Sequence, residues 1–167
     1  DVLISLQQLS DDWHVEYQAS NRADGLILLG YGNYEDYREK LGALADANTR
    51  FMIWGPMVDG QAGHSLGCDN VSGGYQATRH LVSLGRRRIA LLGTTERSPE
   101  HSARYEGYCK ALREAGIEPD EQLKVDAVSS DDEGYRAVRE LLQRDRPFDA
   151  VFALTDVIAI DAMRALE

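Results

Sequence analysis

The sequence predicts an α/β chain of parallel strands with helices packed on them. Three observations carry that expectation. Short apolar runs alternate with segments whose apolar residues recur at helical spacing, and the links between them are short. The run Ile89-Ala90-Leu91-Leu92 is also unbroken, as in a strand buried on both faces of a sheet.

Taken in order, Val2 to Leu6 form a strand-like run at the very first residues, which suggests that further sequence precedes them. Asp11-Asp12 open a helix carrying Trp13 and Tyr17. Leu26 to Leu29 is the next strand, closed by Gly30, and Tyr34, Tyr37, Leu41 and Leu44 mark the helix after it. Phe51 to Trp54 is a third strand, ended by Gly55-Pro56. Met57 to Ser65 is the loosest stretch, and the crossover between two lobes is expected there: residues 1–65 supply part of one lobe and 66–167 the other.

The second lobe opens on a short strand that ends in Asp69. Asn70 suits a helix cap, because its side chain can accept from an orphan amide of the first turn. Val71, Tyr75, Thr78, Leu81 and Val82 keep helical spacing, and Gly85 stands where a left-handed residue ends the helix. Tyr105, Tyr108, Cys109 and Leu112 belong to the next helix, and Arg104 is expected at its start. Leu123 to Val128 reads as a more polar strand nearer an edge. Asp131-Asp132 suit the start of a helix bearing Tyr135, Val138, Leu141 and Leu142. Ala150 to Leu154 is a buried strand, and Ala159, Ala162, Met163 and Leu166 stripe a last helix that is still running at Glu167.

Composition excludes several classes. The 167 residues are 43% apolar, with no run long enough to cross a bilayer, and the first residues lack the basic region and long apolar core of a signal peptide. The net charge is −10 and the pI near 4.8, so the chain by itself should not bind DNA strongly. Arg86 to Arg88 are the local exception, and they read as cations complementing a helix C-terminus. Cys68 and Cys109 read as small buried hydrophobes in a reducing compartment. The four histidines lack metal-ligand spacing, and nothing calls for a cofactor.

Ligands of open parallel sheets collect at the carboxyl ends of strands. The residues expected there are Tyr31, Asn33, Trp54, Asp69, Thr94-Thr95, Ser129-Ser130, Thr155 and Asp156, with Arg104 leaning over the same edge. Carboxylate and guanidinium groups can each engage neighbouring hydroxyls, and Trp54 or Tyr31 could cover an apolar sugar face. Each has a structural reading beside the ligand reading. Asp69 could hold a loop amide, Asp156 could complement a helix N-terminus, Arg104 could be solvated and Trp54 could be core.

Asp69-Asn70 with Gly73-Gly74, the segment Leu84-Gly85-Arg86-Arg87-Arg88-Ile89-Ala90, and Ala103-Arg104-Tyr105-Glu106-Gly107-Tyr108 together resemble the effector-binding domain of the lactose/galactose repressor (LacI/GalR) family. Asp24 to Leu28, and Phe152 to Asp156 with Ala159, extend the match over nearly the whole chain. The resemblance implies a two-lobed periplasmic-binding-protein-like fold, truncated here at both ends, with a helix-turn-helix head missing from the first. It implies effector contacts at Asp69, Arg104 and Asp156. Thr155 replaces the family's usual Asn, Ser129 stands where some relatives place an aromatic residue, and Asp161 replaces a small residue near the surface that pairs subunits.

Catalysis finds no support: there is no Gly-x-Gly-x-x-Gly turn, no phosphate-binding loop and no Gly-x-Ser-x-Gly elbow. The expectation is a cytoplasmic, dimeric transcriptional regulator's sensing domain. It would bind a small effector, a sugar, between its lobes and act on operator DNA only through the missing head, with no membrane. The rival is an extracytoplasmic sugar-binding protein of a transporter, which shares the fold and pocket.

Overall fold

The structure, a computed structural model, describes residues 24–29, 34–55, 60–130 and 132–167. The expected strand at Val2–Leu6 and the helix carrying Trp13, as well as Gly30, Tyr31 and Asn33, lie outside the described residues. Contacts divide the chain into two compact units, residues 1–68 and 69–167.

In the first unit, β1 (Leu26–Leu29), β2 (Phe51–Trp54) and β3 (His64–Leu66) form a parallel sheet in the order β1-β2-β3. Helix α1 (Tyr34–Asp46) connects the first two. Side chains alternate across a strand, so the register Leu28↔Ile53↔Ser65 belongs to one face and Leu29↔Trp54↔Leu66 to the other. Ile53 is buried, as are Leu41 and Leu44 of α1, whereas Ile27, Leu29, Met52, Trp54 and Leu66 on the opposite face are exposed. The strand expected to open the second lobe therefore belongs to the first sheet. Its pairing with β2 moves the division of the chain from Leu66 to Cys68/Asp69. The strand is His64–Leu66 and ends before the expected Asp69; its three residues carry no apolar run, and backbone pairing to an existing edge makes the strand.

The second unit carries β4 (Ile89–Leu92), β5 (Lys124–Val125) and β6 (Ala150–Ala153), parallel and in the order β5-β4-β6. Its helices are α2 (Asn70–Ser83), α3 (Pro99–Glu114), α4 (Glu133–Gln143) and α5 (Asp156–Leu166). The four residues of central β4 are all buried and alternate between two cores. Ile89 and Leu91 pack with Tyr108, Cys109 and Leu112 of α3, while Ala90 and Leu92 pack with Val138 and Leu141 of α4 and Ile158 and Ala162 of α5. That two-sided burial is why the run reads as continuous apolar sequence. β5 is an edge strand as expected, but it is two residues long and follows a 3₁₀ turn at Glu121–Leu123.

The helix ends follow local chemistry. Gly85 adopts φ +82°, Gly85 N–H donates to Val82 O and Arg86 N–H to Leu81 O, a paired closure that satisfies the last carbonyls of α2. The arginines after it serve the fold. Arg87 donates through Nη1 to the Ala115 carbonyl at the end of α3, and the amides of Arg87 and Arg88 bind the Asp149 carboxylate. Cys109 is buried, and burial pushes its thiol up; Cys68, against expectation, is exposed because the segment after β3 has left the sheet.

Candidate functional site

Three segments of the second unit converge at the carboxyl end of β6: the first turns of α2, the second turn of α3, and the turn from β6 into α5. Gly73, Gly74, Arg104, Phe152 to Asp156 and Ala159 line a groove of about 370 Å³ there. The convergence starts with two glycines. A Cβ at Gly74 would lie 2.1 Å from the Arg104 carbonyl oxygen, and one at Gly107 would lie 2.1 Å from the Val71 carbonyl oxygen. Neither distance is tolerable for a side chain, so α2 and α3 cross in backbone contact only because both positions lack one.

That crossing places Arg104 over the groove. The expected position at the helix start is corrected: Ser98 caps α3, accepting from His101 N–H, so Arg104 lies in the second turn. Its guanidinium donates from Nε to Asn70 Oδ1 at 2.9 Å and from Nη1 to the Leu154 carbonyl at 2.6 Å. A guanidinium has five N–H donors, so these bonds fix its plane and leave donors over.

The acids differ from expectation in detail. Asp69, and not Asn70, is the cap of α2: its Oδ1 accepts from Ser72 N–H at 2.9 Å, and the side chain is exposed. Asn70 is the first helical residue, and its side-chain oxygen accepts from Arg104. Asp156 is the exposed first residue of α5, where negative charge suits the dipole. Thr155 caps that helix and its hydroxyl is 2.8 Å from that of Ser129. Ser129, Thr155, Asp156 and Arg104 thus belong to one edge of the sheet, and Asp69 to the helix end beside Asn70. Trp54, at the carboxyl end of β2, is 55% exposed in the first unit. Tyr31 lies outside the described residues.

Thr94 and Thr95 are spent internally. Thr94 Oγ1 donates to the Ala127 carbonyl, His101 Nδ1 donates to the Thr94 carbonyl, and Ser102 Oγ donates to the Thr95 carbonyl. Lys124 Nζ reaches Thr95 Oγ1 at 3.0 Å and lies over the Tyr105 ring. Tyr105 and Tyr108 are both raised well above the usual phenol range, mainly by burial.

Sequence reasoning missed Asn70 as a partner of Arg104, the Leu154 carbonyl, and Gly73, Gly74 and Ala159 as groove lining. The Gly73-Gly74 pair inside a helix was the available signal, since helical glycine needs a packing reason. Among the described residues no cluster of His, Cys, Asp or Glu could hold a metal ion, and no helix is long and apolar enough to cross a membrane.

Residues 8–167 match the family described as periplasmic binding proteins and the sugar-binding domain of the LacI family. The chain is 34% identical over 152 residues to the HTH-type transcriptional regulator CelR of Thermobifida fusca, covering 90% of this chain and 44% of that protein. It is 32% identical over 155 residues to the HTH-type transcriptional repressor PurR of Mannheimia succiniciproducens, covering 92% of this chain and 45% of that one. Among solved structures, a transcriptional regulator CelR–cellobiose complex matches with a TM-score of 0.75 and 32% identity over 94% of this chain and 49% of that one. The chain spans about half the length of the curated relatives it matches.

Proposed function

The chain belongs to the family of periplasmic binding proteins and LacI-type sugar-binding domains, and from that premise we propose that it is the effector-sensing part of a cytoplasmic, dimeric transcriptional regulator. The effector is a small polyhydroxylated molecule, a sugar, and it binds at the groove beneath Arg104. The observation that carries this reading is a guanidinium fixed by Asn70 and the Leu154 carbonyl at the carboxyl end of a parallel sheet. Hydroxyl groups of Thr155 and Ser129 and the carboxylate of Asp156 belong to the same edge.

The chemistry suits a sugar. Arg104 donates to ring or hydroxyl oxygens, Asp156 accepts from hydroxyls, and Thr155 can do either. Asp69, at the helix end beside Asn70, is a further acceptor for ligand hydroxyls in this reading. Cellobiose is the first ligand to try, because the CelR structure similar to this chain was solved with it. Binding acts on the parent regulator by population shift: an effector that prefers one conformation changes the fit of the DNA-binding head by its differential affinity alone. Pairing of two copies runs through α5, whose outer residues are apolar.

Isothermal titration of the purified protein against a panel of mono- and disaccharides, cellobiose included, tests the reading. Arg104→Ala is expected to weaken the best ligand by roughly 1.5–3 kcal/mol, the range for hydrogen bonds to a charged group. Arg104→Lys is expected to recover part of that loss, since a point charge cannot reproduce a planar fork. Unchanged affinity in the alanine variant would place the site elsewhere.

A further inference from the structure

We propose that Asn70 is the positioning residue of the effector groove: its side-chain amide sets the plane of the Arg104 guanidinium, and this governs how tightly a sugar is held. The inference rests on the reading of the groove as an effector site. It goes beyond it by assigning a role to a residue that touches the arginine and does not line the groove.

The argument begins with backbone. Gly74 and Gly107 let α2 and α3 cross at contact distance, with the Arg104 main chain at the crossing. From there the side chain spans two elements, Nε on Asn70 of α2 and Nη1 on the Leu154 carbonyl just after β6. A long flexible side chain loses rotamer freedom when it is fixed. Two hydrogen bonds made before the ligand arrives meet that cost in advance, so the remaining donors gain from the ligand without a further ordering loss. The Leu154 carbonyl alone holds one corner and leaves the guanidinium plane free to turn about that bond. The second corner on Nε stops the turn. Asn70 supplies it from the first turn of α2, where Asp69 holds the capping role.

The chemistry at position 70 then decides the outcome. Asp at this position keeps an acceptor oxygen in place and suits the first turn of a helix. Ala removes the acceptor and keeps a good helix former. Two measurements on the purified protein test the proposal, and only the second requires a ligand. In the empty protein, hydrogen exchange of the Arg104 Nε–H is followed by ¹⁵N NMR, its signal identified by its loss in Arg104→Lys. Exchange is expected to be slow in the native protein and in Asn70→Asp, and roughly tenfold or more faster in Asn70→Ala. Equal rates in the native protein and Asn70→Ala would overturn the proposal. In the second arm, cellobiose is titrated into the three proteins. Asn70→Ala is expected to bind roughly tenfold more weakly, the loss of about one hydrogen bond's worth of preorganisation, with Asn70→Asp recovering most of it. Thermal unfolding is measured alongside; equal losses of affinity in Ala and Asp, tracking lost stability, would make Asn70 structural only and overturn the proposal. If cellobiose fails to bind the native protein, the sugar reading fails for that probe, while the exchange rates still decide whether Asn70 orients Arg104.

Discussion

At the scale of single residues, the chemistry of this chain lies in which polar side chain is held by which backbone group. Asp149 is the clearest case away from the groove. Its carboxylate accepts from the amides of Arg87 and Arg88 at 3.0–3.2 Å, tying the entry of β4 to the entry of β6. Burial works to raise its pKa, but those two amides outweigh it, together with the charges of Arg88 and Arg86, and hold the carboxyl below its ordinary 3.8. Because the folded pKa is depressed, the contribution is fully present above the unfolded value of 3.8 and is lost as pH falls through the lower folded value. Asp149→Asn is therefore expected to lower the urea midpoint at pH 7, by about 1 kcal/mol for a partly solvated charged contact, and to flatten the fall in stability below about pH 4. A parallel acid limb in the variant and native protein would remove Asp149 from that account. Sequence pattern placed Arg86 to Arg88 after a helix end and read them through the helix dipole, but it could not find Asp149 62 residues away. The same holds for Arg104: its type and motif marked it for the groove, whereas Asn70 and the Leu154 carbonyl depend on a helix crossing.

At the scale of elements, the crossing of α2 and α3 is where sequence and structure meet most closely. Helical periodicity and the left-handed Gly85 gave α2 its extent, because those signals are local. The same logic found both sheet faces of β4. It failed at β3, whose three residues His64 to Leu66 become a strand only by pairing with β2, and at the cap of α2, where Asp69 and Asn70 are equally good chemically and tertiary demand chooses. Three glycines of the crossing separate packing from propensity. Gly74→Ala and Gly107→Ala would each drive a methyl into backbone, and each is expected to destabilise by about 1–3 kcal/mol, the range for overpacking. Gly73, one residue earlier, has nothing within 4 Å of a built Cβ. Gly73→Ala is expected to stabilise by about 0.5–1 kcal/mol through helix propensity. Urea denaturation of the three variants checks this. A loss in Gly73→Ala equal to the other two would mean that the close approach at Gly74 and Gly107 is not the cause.

At the scale of the whole molecule, the apolar residues left uncovered on α5 carry the most consequence. Ile158 and Ala162 face the core beneath the sheet, yet the opposite side holds Ile160, 54% exposed, and Met163, 58% exposed, flanked by Val157 and Leu166. A helix at a free surface keeps a polar outer stripe; one that is apolar all round is buried on both sides. Asp161 adds a second mark at the rim. It is only 7% exposed, one oxygen meets Arg164 at 3.3 Å, and the other has no hydrogen-bond partner. Gly134 of α4 makes room for it, since a Cβ there would lie 2.8 Å from that of Asp161. The family resemblance read from sequence put a subunit-pairing surface near Asp161, and the stripe that periodicity assigned is divided between the two sides: Ala162 is buried, whereas Met163 and Leu166 are exposed. In the proposed dimer, pairing of two copies through this helix would cover the outer face. A stable interface buries about 800 Å² per partner, more than one helix face supplies, so α5 is its centre and not its whole. Ile160→Glu sets a charge at that centre, and burying an unpaired carboxylate costs far more than the lost apolar contact. Sedimentation equilibrium of the purified protein is expected to show a dimer natively and a shift to monomer in Ile160→Glu, by at least tenfold in dissociation constant. Far-UV circular dichroism should stay unchanged, because the substituted side chain leaves the core untouched. Arg164→Ala, at the rim, is expected to change the dissociation constant far less. An Ile160→Glu variant that remains dimeric would mean that the pairing runs through another surface, and that the apolar outer face of α5 is covered by something else.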